Sequence, residues 1–180
     1  MNIFDIAKQN QEKAWQVIKN TNIIQIWEDA GAKINLVGSL RTGLLMKHRD
    51  IDFHIYSSPL NLADSFLAMA RLAENPSIKR IECANLLHTS EACIEWHAWY
   101  QNEENELWQM DMIHIREGSR YDGYFEKVAQ RISEIMTDEI RETILRLKYE
   151  TPETEKIIGV EYYQAVLRDG VRDYSGFKEW

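Results

Sequence analysis

Two aspartates separated by one apolar residue, Asp50 and Asp52, are the clearest candidates for chemistry in this sequence. They stand in the segment DIDFHIY, whose other residues are mostly apolar and predict a strand. Because side chains alternate between the faces of a strand, both carboxylates project to one face, while Ile51 and Phe53 project to the other. Two carboxylates this close repel each other unless a cation lies between them or one is protonated. The pair therefore predicts Mg²⁺, which proteins hold with one or two carboxylates and substrate phosphates.

A Gly-Ser pair precedes these aspartates. Gly38 and Ser39 end the strand-like stretch KINLVGS, and ten residues separate them from the first aspartate. A glycine lets the backbone approach a ligand closely, and successive N–H groups in such a turn form an anion-binding concavity. The basic residues Lys47, His48 and Arg49 come directly before the aspartates, and any of the three could neutralise phosphate charge. This spacing predicts a phosphate-binding turn beside the metal.

A third carboxylate stands in a later strand-like segment. Asp111 is the only acidic residue of LWQMDMIHI, where a carboxylate without a partner would be costly to bury. Two metal ions can hold a nucleotide and activate an attacking hydroxyl, and a third carboxylate helps to bind the catalytic ion. Asp111 is thus expected to join the first two aspartates.

Together these segments resemble the nucleotidyltransferase superfamily that includes DNA polymerase β. The shared pattern is VGSLRTG, then RDIDF, then a lone aspartate on a later strand. The run HRDIDF is also similar to the small antibiotic-modifying members, the lincosamide and aminoglycoside nucleotidyltransferases. The resemblance covers about residues 32–115. It implies a transferase that moves a nucleoside monophosphate from an NTP, with ATP as the expected donor, to an acceptor hydroxyl. The expected location is a reducing cytoplasm, because the two cysteines, Cys83 and Cys93, have no disulfide or zinc spacing.

The resemblance also implies a role for each matching residue. Asp50 and Asp52 would hold the ions of a two-metal Mg²⁺ site, and Asp111 would complete the catalytic metal site and favour deprotonation of the acceptor. Gly38 and Ser39 would cradle the β and γ phosphates. The nucleotide-binding residues expected from the sequence are Gly38, Ser39 and Arg49.

The periodicity of the chain predicts the elements that position these residues. Residues 3–30 have helical spacing with a break near 20–22, and residues 57–76 predict a helix with Ser58 as its cap and Pro59 in its first turn. Three strand-like stretches follow in succession: SIKRIECANLL, ACIEWHAWYQ and LWQMDMIHI. Strands in direct succession favour antiparallel pairing. The predicted fold is therefore α/β (α+β), with a mixed sheet flanked by helices.

From about residue 119 the pattern becomes helical. An apolar stripe from Phe125 to Leu147 is interrupted at Thr137, and the sequence TPE at 151–153 predicts a further helix that ends near 167. We expect an α/β core with N-terminal helices at residues 1–118 and a helical C-terminal module at 119–180.

The charge and composition of the chain restrict the classes of partner that we expect it to bind. The formal net charge is −8 and the pI is about 5.2, which disfavours a sequence-independent nucleic-acid binder. A neutral or cationic small molecule, for example an aminosugar antibiotic, is the expected acceptor. The N-terminal residues do not have the pattern of a signal peptide, and no apolar run approaches membrane-spanning length. We expect a protein without a membrane partner, which could form a homodimer.

Two alternatives remain open at this point. The first is a non-catalytic or toxin–antitoxin-type relative that acts through a protein partner. The second is an unrelated α/β binding protein in which the two nearby aspartates bind a structural cation. The position of Asp111 relative to Asp50 and Asp52 separates the second alternative from a nucleotidyltransferase.

Overall fold

A mixed sheet of five strands forms the centre of the structure, a computed structural model that describes residues 2–180. The strands are β1 (Lys33–Val37), β2 (Asp50–Tyr56), β3 (Ile78–Asn85), β4 (Cys93–Gln101) and β5 (Leu107–Ile115). Their spatial order is β1-β2-β5-β4-β3. β2 and β5 run parallel, and the other neighbours pair antiparallel. The predicted mixed sheet flanked by helices is confirmed.

Helices surround this sheet and make up the C-terminal third of the chain. They are α1 (Ile3–Thr21), α2 (Ile23–Asp29), α3 (Gly38–Arg41), α4 (Leu62–Ala73), α5 (Tyr124–Ile135), α6 (Asp138–Glu150), α7 (Gly159–Tyr163), which continues as a π-helical turn (Gln164–Arg168), and α8 (Tyr174–Glu179). The predicted break after the first helix is confirmed at Asn22, whose φ is 53°. Within residues 2–180, no helix has both the length and the apolar character needed to cross a membrane.

One face of the sheet is packed against α1, α2 and α4. In β2, Ile51, Phe53 and Ile55 are at most 1% exposed and belong to the same apolar cluster as Trp27 of α2 and Met69 of α4. Since successive side chains alternate, the aspartates of β2 project from the opposite face. Packing of the apolar face therefore determines where the carboxylates point.

A second apolar cluster joins the C-terminal helices to the start of the chain. It contains Ile3 and Ala7 of α1, Leu44 and Met46 of the loop before β2, and buried residues of α5, α6, α7 and α8. The apolar character of this loop is explained by its burial in that cluster. The division at residue 118 stays a prediction, because α1 contributes to both clusters.

Two predicted helix starts are wrong. α4 begins after Asn61, whose side chain accepts a hydrogen bond from the Ala63 N–H, and Ser58 does not cap it. No helix starts at Thr151, because its N–H and hydroxyl both donate to the Leu147 carbonyl (2.9 and 2.8 Å) and end α6. The next helix begins only at Gly159. In both cases a nearby polar side chain makes a different local hydrogen bond from the one predicted.

Candidate active site

The register of the sheet brings the three predicted carboxylates to one face. Asp52 of β2 lies directly opposite Asp111 of β5 in the parallel pair, and Asp50 lies opposite Gln109. Residues in register on neighbouring strands project to the same side. The three aspartates therefore come from two adjacent strands and face the same space, on the side opposite the packed α1, α2 and α4.

The electrostatics of this group reflect its crowding. Burial, together with repulsion from Asp50 and Asp111, raises the pKa of Asp52 to about 7. The charge of Lys148 and a hydrogen bond from the Ser39 N–H act in the opposite direction. The buried Oδ1 of Asp50 has no hydrogen-bond partner among residues 2–180. A cation between these carboxylates would relieve both the repulsion and the unpaired oxygen.

Asp111 is held by two neighbours on the same face. His97 of β4 lies opposite it, with its Nδ1 2.6 Å from Asp111 Oδ1, and the Gln109 amide donates to the same oxygen at 2.7 Å. Neither His97 nor Gln109 is indicated as a site residue by the sequence motifs. A hairpin signal was present, because His97 and Asp111 lie at equal distances from the centre of the NEENE turn. These contacts fix the orientation of the Asp111 carboxylate.

The Gly-Ser turn lies against the second aspartate. Gly38 has a φ of +66°, and a Cβ at this position would overlap the carboxylate of Asp52. Glycine is therefore required here for two reasons, the left-handed backbone and the close approach of a side chain. Ser39 follows at the start of α3, and its N–H bonds to Asp52.

A buried lysine from α6 reaches the same turn. The ammonium of Lys148 donates to Ser39 Oγ at 2.7 Å and to the Leu44 carbonyl at 3.1 Å, and the residue is only 5% exposed. The hydroxyl of Tyr163 lies 3.4 Å from Ser39 Oγ. Lys148 lies on the buried side of α6, next to Leu147, which is the one sequence signal that could have indicated it.

Arg49 does not contact the same residues as the Gly-Ser turn. Its guanidinium donates to Glu106 Oε1 at 3.1 Å, just before β5, and it lines a pocket that also includes Gln109. Gly38 and Ser39, in contrast, contact Asp52. A nucleotide-binding role for all three stays a prediction.

The side chains of the candidate site determine which metal ion they could hold. Within residues 2–180, no three His, Cys, Asp or Glu side chains are already arranged to hold an ion. The side chains present are nevertheless hard oxygen donors, and Asp50 Oδ1 is buried without a partner. Carboxylate oxygens suit Mg²⁺ rather than a softer metal. The residues therefore fit Mg²⁺.

The chain is similar to solved structures of a GLD-2 complex, of a poly(U) polymerase and of an RNA terminal U-transferase. The chain matches the structure of the GLD-2/RNP-8 complex with a TM-score of 0.64 and 8% identity, over 92% of this chain and 58% of that one. It matches the MgGTP-bound Cid1 poly(U) polymerase with a TM-score of 0.62 and 13% identity, over 88% of this chain and 50% of the other. The chain has the nucleotidyltransferase fold. A cytoplasmic RNA terminal U-transferase is a further match, with a TM-score of 0.57 and 10% identity over 92% of this chain and 50% of that one.

These matches cover only part of each solved chain. The chain spans between 50% and 58% of the length of these three solved chains. No protein-family model and no curated protein matches the sequence. At identities of 8% to 13%, the likeness establishes the nucleotidyltransferase fold, and the chemistry must be argued from the site itself.

Proposed function

We propose that this chain is a metal-dependent nucleotidyltransferase that transfers a nucleoside monophosphate from an NTP, with ATP as the expected donor, to an acceptor hydroxyl. One observation carries the proposal: Asp52 and Asp111 face each other across two parallel strands, beside Asp50 and against the Gly38 turn. Such a group of carboxylates is unfavourable without a cation, and the turn next to it is suited to phosphate.

Each side chain has a role in this proposal. Asp50 and Asp52 hold Mg²⁺, which when bound neutralises phosphate charge and lowers the pKa of the acceptor hydroxyl. Ser39 and Lys148, joined by a 2.7 Å hydrogen bond, bind the β and γ phosphates. Asp111 faces the acceptor.

The reaction is an in-line displacement at the α-phosphorus. The acceptor oxygen forms a bond to this phosphorus, and the bond from the phosphorus to the oxygen that bridges to the β-phosphate breaks. Pyrophosphate leaves with the electron pair, and the proton of the acceptor hydroxyl passes to Asp111. His97 and Gln109 keep the Asp111 carboxylate oriented for this transfer through their bonds to its Oδ1.

The sequence resemblance and the similar solved structures point to different classes of acceptor. The sequence resemblance suggested a small molecule such as an antibiotic, and the net charge of −8 is compatible with a cationic one. The solved neighbours are named as poly(U) polymerase and RNA terminal U-transferase, and those proteins act on RNA. Two structures of the Cid1 poly(U) polymerase were solved with MgGTP or MgATP. A non-catalytic relative that works through a protein partner stays the alternative.

Binding and turnover with matched variants test the proposal. Titration calorimetry should detect binding of a non-hydrolysable ATP analogue to the wild type only when Mg²⁺ is present. Asp50→Asn should lower the rate of nucleotide transfer by about a hundredfold or more, because it removes a carboxylate that would hold the Mg²⁺ that neutralises the reacting phosphate. Asp64→Asn, at an exposed position of α4, is the matched control and should behave as the wild type. Absence of metal-dependent nucleotide binding in the wild type would refute the proposal.

A further inference from the structure

The loop that follows the Gly-Ser turn, residues 43–45, is held by side chains of two helices. The Gly43 carbonyl accepts hydrogen bonds from the Gln11 amide of α1 at 3.0 Å and from the Arg141 guanidinium of α6 at 3.3 Å. The same amide nitrogen of Gln11 donates to the Leu45 carbonyl at 3.3 Å. Gln11 therefore bridges two carbonyls of the loop, and Arg141 supports one of them.

The loop needs these donors because it is buried between the two apolar clusters. Leu44 is fully buried in the cluster of the C-terminal helices, whereas Leu45 is buried in the cluster that packs on the sheet. A backbone carbonyl that leaves water must find a donor within the protein. Within residues 2–180, Gln11 is the only hydrogen-bond donor to the Leu45 carbonyl. Loss of the Gln11 amide would leave that carbonyl unpaired, so the loop should shift.

The loop is bonded directly to the residues proposed to bind phosphate. The Leu44 N–H donates to the Ser39 carbonyl at 2.8 Å. The Leu44 carbonyl accepts from the Lys148 ammonium at 3.1 Å, and the same ammonium donates to Ser39 Oγ at 2.7 Å. A displacement of the loop therefore moves Ser39 and Lys148 as well.

The two helices that hold the loop also contact each other. The Arg141 guanidinium of α6 lies 5.4 Å from the centre of the Phe4 ring of α1, which is a cation–π contact. Lys148 follows Arg141 by about two helical turns, so both residues lie on the same side of α6. The side chains of α1 and α6 therefore approach the loop as one packed unit.

We propose that Gln11 and Arg141 are positioning residues: by holding the carbonyls of the loop 43–45, they keep Ser39 and Lys148 in place for the β and γ phosphates of the nucleotide. This inference rests on the proposed function and adds to it two residues that no sequence motif indicates. Neither residue has to touch the nucleotide, because each acts through the loop. The inference also gives a role to α1, which precedes the segment that resembles the nucleotidyltransferases.

Amide hydrogen exchange tests whether Gln11 holds the loop, and this measurement needs no nucleotide. Gln11→Met keeps a long side chain and removes the donor. We expect the Leu44 N–H to exchange about tenfold faster than in the wild type, as measured by NMR, because its bond to Ser39 opens more often. The matched control is Gln16→Met, since the Gln16 amide donates to the exposed Asn20 of the same helix. Equal exchange of Leu44 in Gln11→Met and the wild type would refute the role of Gln11.

Nucleotide affinity tests the consequence for the site. By titration calorimetry, Gln11→Met and Arg141→Met should each bind the Mg²⁺ complex of the non-hydrolysable ATP analogue about tenfold more weakly than the wild type. Arg141→Lys keeps a donor for the Gly43 carbonyl and should stay within about threefold of the wild type. Arg146→Met, at an exposed position of α6, is the control for Arg141 and should bind as the wild type does.

The Mg²⁺ complex of tripolyphosphate tests whether the effect is on the phosphates. Gln11→Met should lose the same factor of affinity for tripolyphosphate as for the ATP analogue, because the loop acts on the groups that bind phosphate. A loss of affinity for the analogue without a loss for tripolyphosphate would contradict the proposed route through Ser39 and Lys148.

Urea unfolding separates positioning from stability. A purely structural role would lower the unfolding midpoint of Gln11→Met and leave the dissociation constant of the folded protein unchanged. That result, together with binding of the analogue by the wild type, would refute the positioning role and leave the proposed function standing. If the wild type binds neither the analogue nor tripolyphosphate, the proposed function fails, and the positioning role fails with it.

Discussion

Lys148 is the residue that links the helical part of the chain to the chemistry. It is buried and donates a hydrogen bond to Ser39 at 2.7 Å. Its charge partly opposes the rise in the pKa of Asp52 that burial causes. A buried ammonium is costly to desolvate and is retained where a negative charge is to be bound. Its hydrogen bonds go to a hydroxyl and a carbonyl, both of them neutral groups.

Replacement of this lysine should weaken nucleotide binding. Lys148→Met keeps the length of the side chain and removes the charge, so the affinity for the Mg²⁺–ATP analogue should fall about tenfold, the usual loss for one charge-assisted hydrogen bond. Titration calorimetry measures this directly. Lys19→Met, at an exposed position of α1, provides the control. Equal affinities for Lys148→Met and the wild type would show that the lysine is only structural.

The start of α3, directly after β1, has a tightly constrained geometry. Gly38 and Gly31 both have left-handed backbones, with φ of +66° and +78°. A Cβ at Gly31 would meet nothing within 4 Å, whereas a Cβ at Gly38 would overlap the Asp52 carboxylate. A substitution at Gly31 therefore tests backbone strain alone, whereas one at Gly38 tests the same strain together with displacement of Asp52.

This difference predicts unequal effects of the same substitution. Gly31→Ala should cost only the left-handed strain, about 1–2 kcal/mol of unfolding free energy, and leave nucleotide affinity unchanged. Gly38→Ala carries the same strain and must also displace Asp52, so nucleotide affinity should be lost. Urea unfolding and calorimetry report the two quantities. If Gly38→Ala binds the Mg²⁺–ATP analogue normally, the turn does not depend on this close approach.

A buried histidine of β5 contacts a serine of α4 and a second serine directly after β2. His114 Nε2 lies 2.7 Å from Ser57 Oγ, and its Nδ1 lies 3.1 Å from Ser65 Oγ, which also accepts the Trp96 N–H at 2.9 Å. Burial lowers the pKa of His114 from 6.5 to about 4, although the charge of Asp64 acts in the opposite direction. The folded protein therefore keeps this imidazole neutral in mild acid.

The pH dependence of stability follows from this shift. Between pH 6.5 and about 4 the unfolded chain binds a proton at His114 that the folded chain does not, so the unfolding free energy decreases as the pH falls, by at most roughly 3 kcal/mol. His114→Gln should remove this part of the slope in urea unfolding measured from pH 7 to pH 4.5. His88→Gln, at an exposed position, should retain it. Equal slopes for His114→Gln and the wild type would contradict the account.

The sequence was sufficient for those elements whose signal is local. The alternation in DIDFHIY and LWQMDMIHI predicts both strands that contain the three aspartates, and β5 has the bounds Leu107–Ile115 that this segment implies. The predicted interruption at Thr137 is confirmed, because Thr137 lies between α5 and α6 and its side chain accepts a hydrogen bond from the Ile140 N–H. The helix start predicted at Thr151 is wrong because its hydroxyl donates to a carbonyl of the preceding helix. Lys148 and His97 were missed since their partners, Ser39 and Asp111, lie 109 and 14 residues away in sequence.

At the scale of the whole molecule, the candidate site lies where two apolar clusters meet. The sheet cluster fixes Asp50, Asp52 and Asp111 on one face, and the helical cluster brings Lys148 to the Gly-Ser turn. Leu44, whose carbonyl accepts from Lys148, belongs to the helical cluster and follows directly on the turn. Each cluster supplies a part of the site, and the carboxylates are the part on which the proposed chemistry depends.

A crystal soaked with Mn²⁺ and a non-hydrolysable ATP analogue tests the shared-cation claim most directly. Mn²⁺ takes oxygen ligands as Mg²⁺ does and can be located by its anomalous scattering. We predict an anomalous peak within about 2.3 Å of carboxylate oxygens of both Asp50 and Asp52, with the triphosphate at Ser39 and Lys148. An analogue bound without a metal peak at these aspartates, or with the metal held elsewhere, would contradict the account.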